Sequence, residues 1–560
     1  MTERIPFTFN GKQMSAPAHM SVAAALTQSG ERAFRETDAG ATRGVFCGMG
    51  VCQDCLVEID GRANQRACMT KLAPDMEIRR QQARPPLGSQ SSAAPAPLQS
   101  ETLHPDVLVV GGGIGGLNAA LAASRAGANT VLIDERTVAG GQYFKQSAEK
   151  DATPLDAQQA RGADLVADLA ASSVRRITGA EVWGAFDGPV IVAASASHVY
   201  TLRPKRLIVA TGAYERPAMI PGWTLPGVMT VGAAQTLWRS YRVAPGKRVA
   251  IFGNGPLNAQ VALELAEAGA TVVALGEAAP SPLARTASAL AMTRADPALA
   301  LSGARMLARL ALKGIFTRWA TVPEKIEPTP DGALRVTYVS ASGKRGSAIC
   351  DTLCMNFGFQ PQNEILRLLG AEMTYDDRFG HLRTTRSATM ETSVAGVYAI
   401  GDCCGLGGAP AAAVEGAIAG AAAAGLLAPS GADRLALEGH RRFQDALWAT
   451  YAAPLPDLAT ATPETHVCRC EEVTRETLDA ALEANPTDIG AVKRATRIGM
   501  GRCQGRYCAP AVSAYLAKRT GKPLGERSLF APRVPIKPVS IAAISATEGL
   551  DSPEAPADER

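Results

Sequence analysis

The sequence has few aromatic residues, few histidines and no long uninterrupted hydrophobic run. Aromatic side chains make up 5% of the 560 residues, and none of the 6 histidines stands in a recognisable base motif. The longest apolar stretch, residues 411–428, is mostly alanine and glycine and contains Glu415. This composition favours a closely packed helix inside a domain over a membrane span. The N-terminus is polar where a signal peptide would have its apolar core, so we expect a cytoplasmic protein.

An excess of charge of one sign is also missing. The chain has 57 basic and 53 acidic residues, and its net charge of +4 indicates no strong attraction to nucleic acid or to an anionic membrane. We therefore expect no nucleic-acid partner and at most a peripheral contact with the inner membrane. The hydrophobic content of 46% is typical of a globular protein, and the length suffices for roughly three or four domains.

Cysteine, by contrast, is plentiful and clustered. Cys47, Cys52, Cys55 and Cys68 have the spacing C-x4-C-x2-C-x12-C, whose first three members match the plant-type arrangement around a [2Fe–2S] cluster. The gap to the fourth is shorter than in free-standing plant ferredoxins. Residues 1–83 therefore resemble the abbreviated ferredoxin-like domains attached to flavoprotein dehydrogenases. A zinc site is the alternative, although zinc motifs usually come as two closely spaced cysteine pairs.

A second cysteine cluster lies near the other end of the chain. Cys468 and Cys470 form a C-x-C pair, and Cys503 and Cys508 follow as C-x4-C. The stretch from 467 to 508 resembles the bacterioferritin-associated-ferredoxin type of [2Fe–2S] domain. Zinc is again the alternative.

The remaining four cysteines carry weaker signals. Cys350 and Cys354 flank a strand-like run and are expected to be small core residues. Cys403 and Cys404 follow a glycine–aspartate motif, so we expect them near a cofactor. A redox-active vicinal disulfide is the alternative for this last pair.

A glycine fingerprint, G-x-G-x-x-G, lies at the turn of a strand–turn–helix–strand unit at residues 106–135. The first glycine makes the turn, the second admits a pyrophosphate, and the third lets helix and strand pack. The helix N-terminus favours the phosphate charge, and an acidic residue ending the second strand binds a ribose hydroxyl. The candidate residues are Gly111, Gly113, Gly116, Asp134 and, as the alternative ribose ligand, Glu135.

Two later motifs, together with a GGQ triplet in the matching order, indicate that this nucleotide is FAD. A GGQ triplet follows the first unit, "LIVATGAYERP" resembles the ATG crossover of two-dinucleotide-binding flavoproteins, and "TSVAGVYAIGDCCG" resembles their closing strand. The resemblance implies that Asp402 hydrogen-bonds the ribityl chain. The cysteine pair that disulfide reductases of this fold carry beside the flavin is absent, which excludes lipoamide- and thioredoxin-type chemistry. The candidate residues are Gly141, Gln142, Thr211, Gly212, Gly401 and Asp402.

A second fingerprint, at residues 248–277, is less complete. Gly253 and Gly255 are present, but Asn258 takes the third glycine position and Gly276 aligns with the ribose-binding carboxylate. Hydride transfer from NAD(P)H does not follow from this pattern. The cleft is expected either to bind NAD(P) or an adenine nucleotide, or to be kept for structure alone.

We predict an α/β multidomain chain with a β-grasp ferredoxin-like domain, a glutathione-reductase-like core with two dinucleotide-binding domains, and a small C-terminal cysteine domain. Alternating strands and helices between residues 104 and 430 indicate the parallel βαβ units of that core. The predicted segments are the ferredoxin-like domain at 1–83, a linker at 84–103, the FAD-binding domain at 104–225 and 351–430, the second nucleotide-binding domain at 226–350, a connecting helix and linker at 431–460, the C-terminal [2Fe–2S] domain at 461–525 and a loosely ordered tail at 526–560.

The order of these parts, closing on "GMGRCQGRYC", resembles the α subunits of bacterial heteromeric FAD/iron–sulfur amine dehydrogenases. That family includes opine oxidases, hydroxyproline and proline dehydrogenases, hydrogen cyanide synthase and heterotetrameric sarcosine oxidase. The resemblance implies a D-amino-acid-oxidase-like β subunit that oxidises a small-molecule amine, and an α subunit that relays the electrons to an acceptor. Clusters on both sides of the FAD would make this chain a converter from two-electron to one-electron transfer. No acid–base residue of this chain is expected to be catalytic.

Two alternatives stay open. The chain could be a self-contained NAD(P)H-dependent iron–sulfur reductase that takes hydride at residues 253–277, although the incomplete fingerprint argues against it. It could instead be a redox-sensing or assembly module, although nothing in it resembles a DNA-reading or signalling domain. The sequence does not identify the amine, the terminal acceptor or the number of subunits.

Overall fold

The computed structural model of the chain describes residues 3–85, 97–426, 430–484 and 488–547. Parts of the expected linker (86–96) and tail (548–560) lie outside the described residues. Within the described ranges, no helix combines the length and the apolar composition that crossing a bilayer requires.

The N-terminal domain is a five-stranded sheet packed on one helix. The first strand pairs antiparallel with the second and parallel with the last, as in a β-grasp fold. The helix Val22–Gln28 begins after Ser21, whose hydroxyl accepts a hydrogen bond from the amide of Ala24 at 3.2 Å. Its buried face is mostly alanine, which lets it lie close to the sheet. The strands, from edge to edge, are Lys12–Pro17, Arg4–Phe9, Met76–Arg80, Leu56–Ile59 and Arg62–Arg66, and a separate pair is Arg35–Glu36 with Thr42–Arg43.

The FAD-binding domain has a parallel sheet whose central strand precedes the first glycine fingerprint. The strands in order are Arg175–Thr178, Thr130–Asp134, Val107–Val110, Arg206–Val209 and Val397–Ala399. A second sheet consists of Glu181–Phe186, Val190–Ala194, His198–Leu202 and Gln99–Leu103. The helices are Ile114–Arg125, Gly141–Phe144, Ala157–Ala171, Glu364–Leu368 and Gly408–Ala423, with a 3₁₀ turn at Gly401–Cys404. Two short strand pairs are Ala213–Glu215 with Phe359–Pro361 and Met373–Asp376 with His381–Thr384.

The alanine- and glycine-rich run forms a helix inside this domain, as expected. Helix Gly408–Ala423 packs on helix Ile114–Arg125 with backbones nearly in contact. A Cβ at Gly420 would lie only 2.2 Å from the carbonyl oxygen of Ala119. Glu415, the charge in this run, is buried in an ion pair with Arg386 at 2.7 Å.

The second nucleotide-binding domain repeats the parallel arrangement. Its strand order is Val228–Thr230, Thr352–Asn356, Arg248–Gly253, Thr271–Glu277 and Thr317–Arg318. An antiparallel sheet of Thr321–Pro328, Leu334–Ser340 and Arg345–Cys350 covers it. Its helices are Val231–Tyr241, Pro256–Glu267, Thr286–Ala295 and Pro297–Leu312, with a 3₁₀ turn at Pro282–Ala284.

Two of the predicted boundaries differ from the structure. Strand Thr352–Asn356 falls within the predicted FAD-binding domain, but it lies in the second sheet, paired with Arg248–Gly253 and Val228–Thr230. The chain therefore returns to the first domain only after residue 356, because Cys354 and its neighbours complete that buried sheet. Strand Gln99–Leu103 falls within the predicted linker, but it pairs in parallel with His198–Leu202 at the sheet edge.

The C-terminal part begins with helix Gly431–Thr450 and continues into a small cysteine domain. The other elements are strands His466–Cys468 and Val473–Thr474, helices Arg475–Ala484, Ile489–Thr496, Cys508–Thr520 and Ile541–Ser545, and 3₁₀ turns Leu458–Thr460 and Glu526–Ser528.

The described part of the tail, residues 526–547, packs against the FAD-binding domain, so the expectation that it is loosely ordered is wrong there. The amide of Ile536 donates to the carbonyl of Trp183 at 2.9 Å, and its side chain enters the domain core. Lys537 is buried beside Glu135 and forms an ion pair with it. The apolar and charged partners of this segment lie far away in sequence, so the sequence pattern alone does not indicate them.

Candidate redox site

A cavity of about 330 Å³ brings the expected FAD motifs together. It lies where the parallel strands of the FAD-binding domain end, which is the usual ligand position in such sheets. Gly116 does not line the cavity. The other ten of the eleven predicted FAD residues line it directly, namely Gly111, Gly113, Asp134, Glu135, Gly141, Gln142, Thr211, Gly212, Gly401 and Asp402.

Two glycines of the first fingerprint are required by close backbone contacts. Gly111 has φ +109°, and a Cβ on it would lie 2.4 Å from the carbonyl oxygen of Ala210. A Cβ on Gly116 would lie 1.8 Å from the carbonyl oxygen of Gly111, so this residue allows the helix to pack on the strand. Gly113 caps helix Ile114–Arg125 and leaves its N-terminal amides facing the cavity. This cradle suits a pyrophosphate.

Three carboxylates of the cavity have different partners. Asp134 accepts from the amides of Gly112 and Arg136, and burial raises its pKa. Burial also acts on Glu135, but the neighbouring ammonium of Lys537 outweighs it and lowers the pKa of Glu135. Asp402 accepts from two amides at the start of helix Gly408–Ala423, each at 3.0 Å, which orients its carboxylate.

A buried lysine and a buried glutamate, neither of them among the candidate residues from the sequence, line the same cavity and are linked through Gly232. Lys145 donates to the carbonyl of Gly232 at 2.7 Å, and the amide of Gly232 donates to Glu215 at 2.8 Å. Burial lowers the pKa of Lys145 to about 7, while the charge of Glu215 opposes this shift. Burial raises the pKa of Glu215. In the sequence, the position of Lys145 about one helical turn after the GGQ triplet could have indicated that it lies near the cofactor.

The N-terminal cysteines lie on and beside a loop whose backbone amides suit a [2Fe–2S] cluster. The amides of Met49 and Cys52 point at the sulfur of Cys47, at 3.5 and 3.4 Å. Burial raises the pKa of Cys47, but the hydrogen bond with the Cys52 thiol, together with those from the backbone amides, outweighs it and lowers the pKa to about 6. Gly48 has φ +62°, and a Cβ on it would meet Ala233 at 3.0 Å. The Cys47 thiol interacts with that of Cys52, and the Cys68 thiol with that of Cys55.

The C-terminal cysteines also converge. Cys468 interacts with Cys470 and Cys508, and Cys470 interacts with Cys503. Cys508 begins helix Cys508–Thr520, and Cys503 lies in the turn before it. A Cβ on Gly501 would lie 2.3 Å from the Cβ of Cys470, so the glycine-rich turn brings the backbone close to the thiols.

The two cysteine clusters are neighbours, which corrects the expectation that they lie on opposite sides of the FAD. Cys52 and Cys470 line one cavity of about 380 Å³. Between the clusters, the fully buried carboxylate of Asp54 pairs with Arg35 at 2.8 Å and with Arg469. The guanidinium of Arg469 lies 3.6 Å from the ring centroid of Phe46, so the two cluster domains share one buried interface.

An apolar core joins both clusters to the FAD cavity. Met49, in the loop between Cys47 and Cys52, lines the FAD cavity itself. The ring of Tyr507 lies 5.3 Å from Phe46 and 5.6 Å from Tyr214, measured between centroids. These side chains belong to the same buried core as cysteines of both clusters. The core therefore forms a continuous apolar connection between the clusters and the FAD cavity.

The loop of the second fingerprint is covered by side chains of the chain itself. Glu277, one position after the expected ribose ligand, accepts from the amide of Gly255 at 2.9 Å and from Asn254 at 2.8 Å. Burial raises the pKa of Glu277 to about 7. The ring of Trp448 lies 3.3 Å from where a Cβ of Gly255 would stand. Asn254 also donates to the carbonyl of Tyr451 at 2.7 Å, so the end of helix Gly431–Thr450 closes over this loop.

The remaining cysteines lie in the core of the chain. Cys350 and Cys354 are fully buried within strands, as expected. Cys403 and Cys404 follow Asp402 and are also buried, with their sulfurs 3.7 Å apart as thiols.

Three family profiles match successive parts of the chain. Residues 2–83 match the 2Fe-2S iron-sulfur cluster binding domain, residues 105–420 match the pyridine nucleotide-disulphide oxidoreductase family, and residues 466–518 match the BFD-like [2Fe-2S] binding domain. Together with the cavity and the cysteine clusters, these matches define an oxidoreductase with FAD and two [2Fe–2S] clusters. They confirm the fold class expected from the sequence.

Individual relatives narrow the group of oxidoreductases that the chain resembles. An opine oxidase subunit from Rhizobium meliloti (strain 1021) is 31% identical over 458 residues, 79% of this chain and 98% of that protein. Hydrogen cyanide synthase subunit HcnB of Pseudomonas aeruginosa is 32% identical over 463 residues, 78% of this chain and 97% of that protein. The crystal structure of L-proline dehydrogenase from P. horikoshii shares the fold, with a TM-score of 0.72 at 21% identity over 97% of this chain and 98% of that chain.

The chain therefore belongs to the pyridine nucleotide-disulphide oxidoreductase family and, within it, to the FAD/iron–sulfur α subunits represented by this opine oxidase protein and by HcnB. The resemblance seen in the sequence is confirmed.

Proposed function

We propose that this chain is the electron-transfer subunit of a heteromeric dehydrogenase for a secondary amine or imino acid. The substrate class comprises opines, hydroxyproline, proline, glycine and sarcosine-like compounds. In this proposal Cys47, Cys52, Cys55 and Cys68 hold one [2Fe–2S] cluster, and Cys468, Cys470, Cys503 and Cys508 hold the other. The residues proposed to bind FAD are Gly111, Gly113, Gly116, Asp134, Glu135, Gly141, Gln142, Thr211, Gly212, Gly401 and Asp402.

The observation that carries the proposal is the continuity of the three sites. Met49 belongs to the first cysteine loop and lines the FAD cavity, and Cys52 and Cys470 line one cavity between the clusters. Bound FAD accepts two electrons as a hydride, whereas a [2Fe–2S] cluster accepts one at a time. The chain's own contribution is to hold the three groups close together around the shared apolar core.

We further propose that the second nucleotide cleft does not accept NAD(P)H. Glu277 takes the amide of Gly255 that a phosphate would use, and Trp448 covers the same glycine. An anionic pyrophosphate would have to displace both. These contacts disfavour a self-contained NAD(P)H reductase. The competing proposal for this cleft is an adenine nucleotide bound at Gly253 and Gly255, which would require helix Gly431–Thr450 to move.

The proposal includes a partner and a location. The opine oxidase and hydrogen cyanide synthase relatives are both named as subunits, which supports a second polypeptide here. We propose that it is a D-amino-acid-oxidase-like flavoprotein that oxidises the amine. We also propose that the complex works in the cytoplasm.

Reconstitution with a candidate partner tests this function. The purified chain, loaded with FAD and clusters, is mixed anaerobically with proline, hydroxyproline, sarcosine or an opine, with and without the partner flavoprotein. We expect no bleaching of the chain's absorbance by any amine alone, and bleaching by one amine when the partner is present. Bleaching by an amine without the partner would contradict the relay role, because it would place amine oxidation on this chain.

A further inference from the structure

Helices Thr286–Ala295 and Pro297–Leu312, with the flanking residues 282–285 and 313–318, form a surface that we call the leucine–arginine hairpin. Among the described residues, 15 large hydrophobic side chains are exposed, and 6 of them lie in this short segment. They are Leu283, Leu290, Leu299, Leu301, Leu312 and Phe316, of which Leu283 and Leu312 are 86% and 88% exposed. Such a concentration of exposed apolar side chains indicates an interaction surface.

The same segment concentrates positive charge. Residues 285–318 contain six basic residues and one acidic residue, Asp296, which gives a net charge of +5 where the whole chain has +4. Three of the basic groups have partners, since Arg309 pairs with Glu267, Arg285 donates to a backbone carbonyl and Arg318 lies over the ring of Tyr338. Within the described ranges, the exposed Arg294, Arg305 and Lys313 form no ion pair. The nearly neutral balance of the whole sequence conceals this local excess.

Helix Pro297–Leu312 is amphipathic, with one face packed against the domain and the opposite face exposed to solvent. Leu310 is buried, and Met306 and Leu307 pack with it against the domain core. Leu301, Arg305 and Leu312 lie four, then seven residues apart along the opposite, exposed face. The helix is therefore fixed to the domain by one face while leucine and arginine alternate on the other.

We propose that the leucine–arginine hairpin binds an anionic lipid bilayer and attaches the protein peripherally to a membrane. Leucine and phenylalanine side chains can enter the acyl boundary, while neighbouring arginine and lysine side chains contact the lipid phosphates. A protein partner would satisfy the apolar face but would need matching carboxylates for each cation. An anionic bilayer supplies an apolar layer and negatively charged phosphates everywhere on its surface. The described residues that line the FAD cavity include none from the hairpin, so attachment leaves that site free.

Vesicle sedimentation with the full cofactor-loaded chain tests this proposal independently of the electron-relay function. We expect binding to phosphatidylglycerol vesicles at least about tenfold tighter than to phosphatidylcholine vesicles. Leu301→Glu and Lys313→Glu should each weaken binding to phosphatidylglycerol by about tenfold, and added salt should weaken it further. Visible absorbance of the clusters and the FAD reports whether each variant is folded.

Matched controls come from the same chain. Ile541→Glu changes an exposed apolar residue and Arg62→Glu an exposed basic one, both outside the hairpin, and neither should alter vesicle binding. The proposal is overturned if wild type does not bind anionic vesicles, or if the hairpin variants bind as wild type does. It is also overturned if the hairpin substitutions abolish binding of a flavoprotein partner or self-association on size exclusion while leaving vesicle binding intact.

Discussion

At the scale of single residues, the most consequential group is the carboxylate of Asp54. It is fully buried between the two cluster domains, where it faces Arg35, Arg43 and Arg469. Burial alone would raise its pKa, but the three guanidinium groups outweigh this and lower it. The charges of Arg35 and Arg469 in turn depend on this carboxylate, because a buried charge without a partner is costly, whereas Arg43 also pairs with Glu472 at 3.0 Å.

Asp54→Asn should therefore lower the free energy of unfolding by about 3–5 kcal/mol. Asp38→Asn is the matched control, because Asp38 pairs with Arg84 at the surface and should contribute no more than about 1 kcal/mol. Denaturant unfolding, followed through the cluster absorbance, measures both. Similar losses for the two variants would show that Asp54 is not the centre of a buried network.

A second residue-scale prediction concerns Lys145 and pH. The folded protein holds the pKa of Lys145 at about 7, so its side chain is positively charged below that pH and neutral above it. Since Lys145 lines the FAD cavity, its charge should stabilise the negative charge of reduced flavin only on the acid side.

Lys145→Met should accordingly lower the midpoint potential of bound FAD by about 30 mV or more near pH 6 and change it little near pH 8. Spectroelectrochemical titration at both pH values measures this. Lys150→Met, which changes an exposed lysine of the same segment, serves as control. An equal shift at both pH values would contradict the assignment of the pKa near 7.

At this scale the sequence indicates the cysteines and glycines but not their supporting residues. Cysteine spacing and glycine fingerprints are local patterns, so they can be recognised without a structure. Met49, Glu215 and Lys537 reach the FAD cavity from three distant segments. Met49 and Glu215 lie inside the cysteine and ATG motifs, which do not single them out, and Lys537 belongs to no recognised motif.

At the scale of elements, the close packing of helix Gly408–Ala423 on helix Ile114–Arg125 fixes the Asp402 loop. Gly420→Ala should destabilise the protein by about 1–3 kcal/mol, because its Cβ would lie 2.2 Å from the carbonyl oxygen of Ala119. Gly431→Ala is the control, since that glycine has open space around it near a helix start and should be neutral or slightly stabilising. Thermal unfolding separates the two, and destabilisation by both would contradict the packing argument.

Element boundaries are the weakest part of what the sequence predicts. The run around Cys354 follows the antiparallel strands, which suggests a return to the FAD-binding domain. Only its pairing with Arg248–Gly253 and Val228–Thr230 assigns it to the second sheet. Strand membership depends on contacts between distant segments, which hydrophobic pattern does not report.

At the scale of the whole molecule, the domain order follows from the motifs, whereas the arrangement of the domains does not. Clusters near opposite ends of the chain suggest opposite sides of the FAD. The structure instead joins them through Asp54 and Arg469, because the N-terminal and C-terminal domains pack on each other. Distance along the sequence does not limit contact between domains.

Anaerobic titration of the cofactor-loaded chain with NADH, followed by EPR and visible spectroscopy, tests the central claim most directly. We predict two [2Fe–2S] signals after dithionite and little or no reduction by NADH, because Glu277 and Trp448 occupy the second fingerprint loop. Rapid bleaching of the FAD and both clusters by NADH would contradict the relay role and identify a self-contained NADH-dependent reductase.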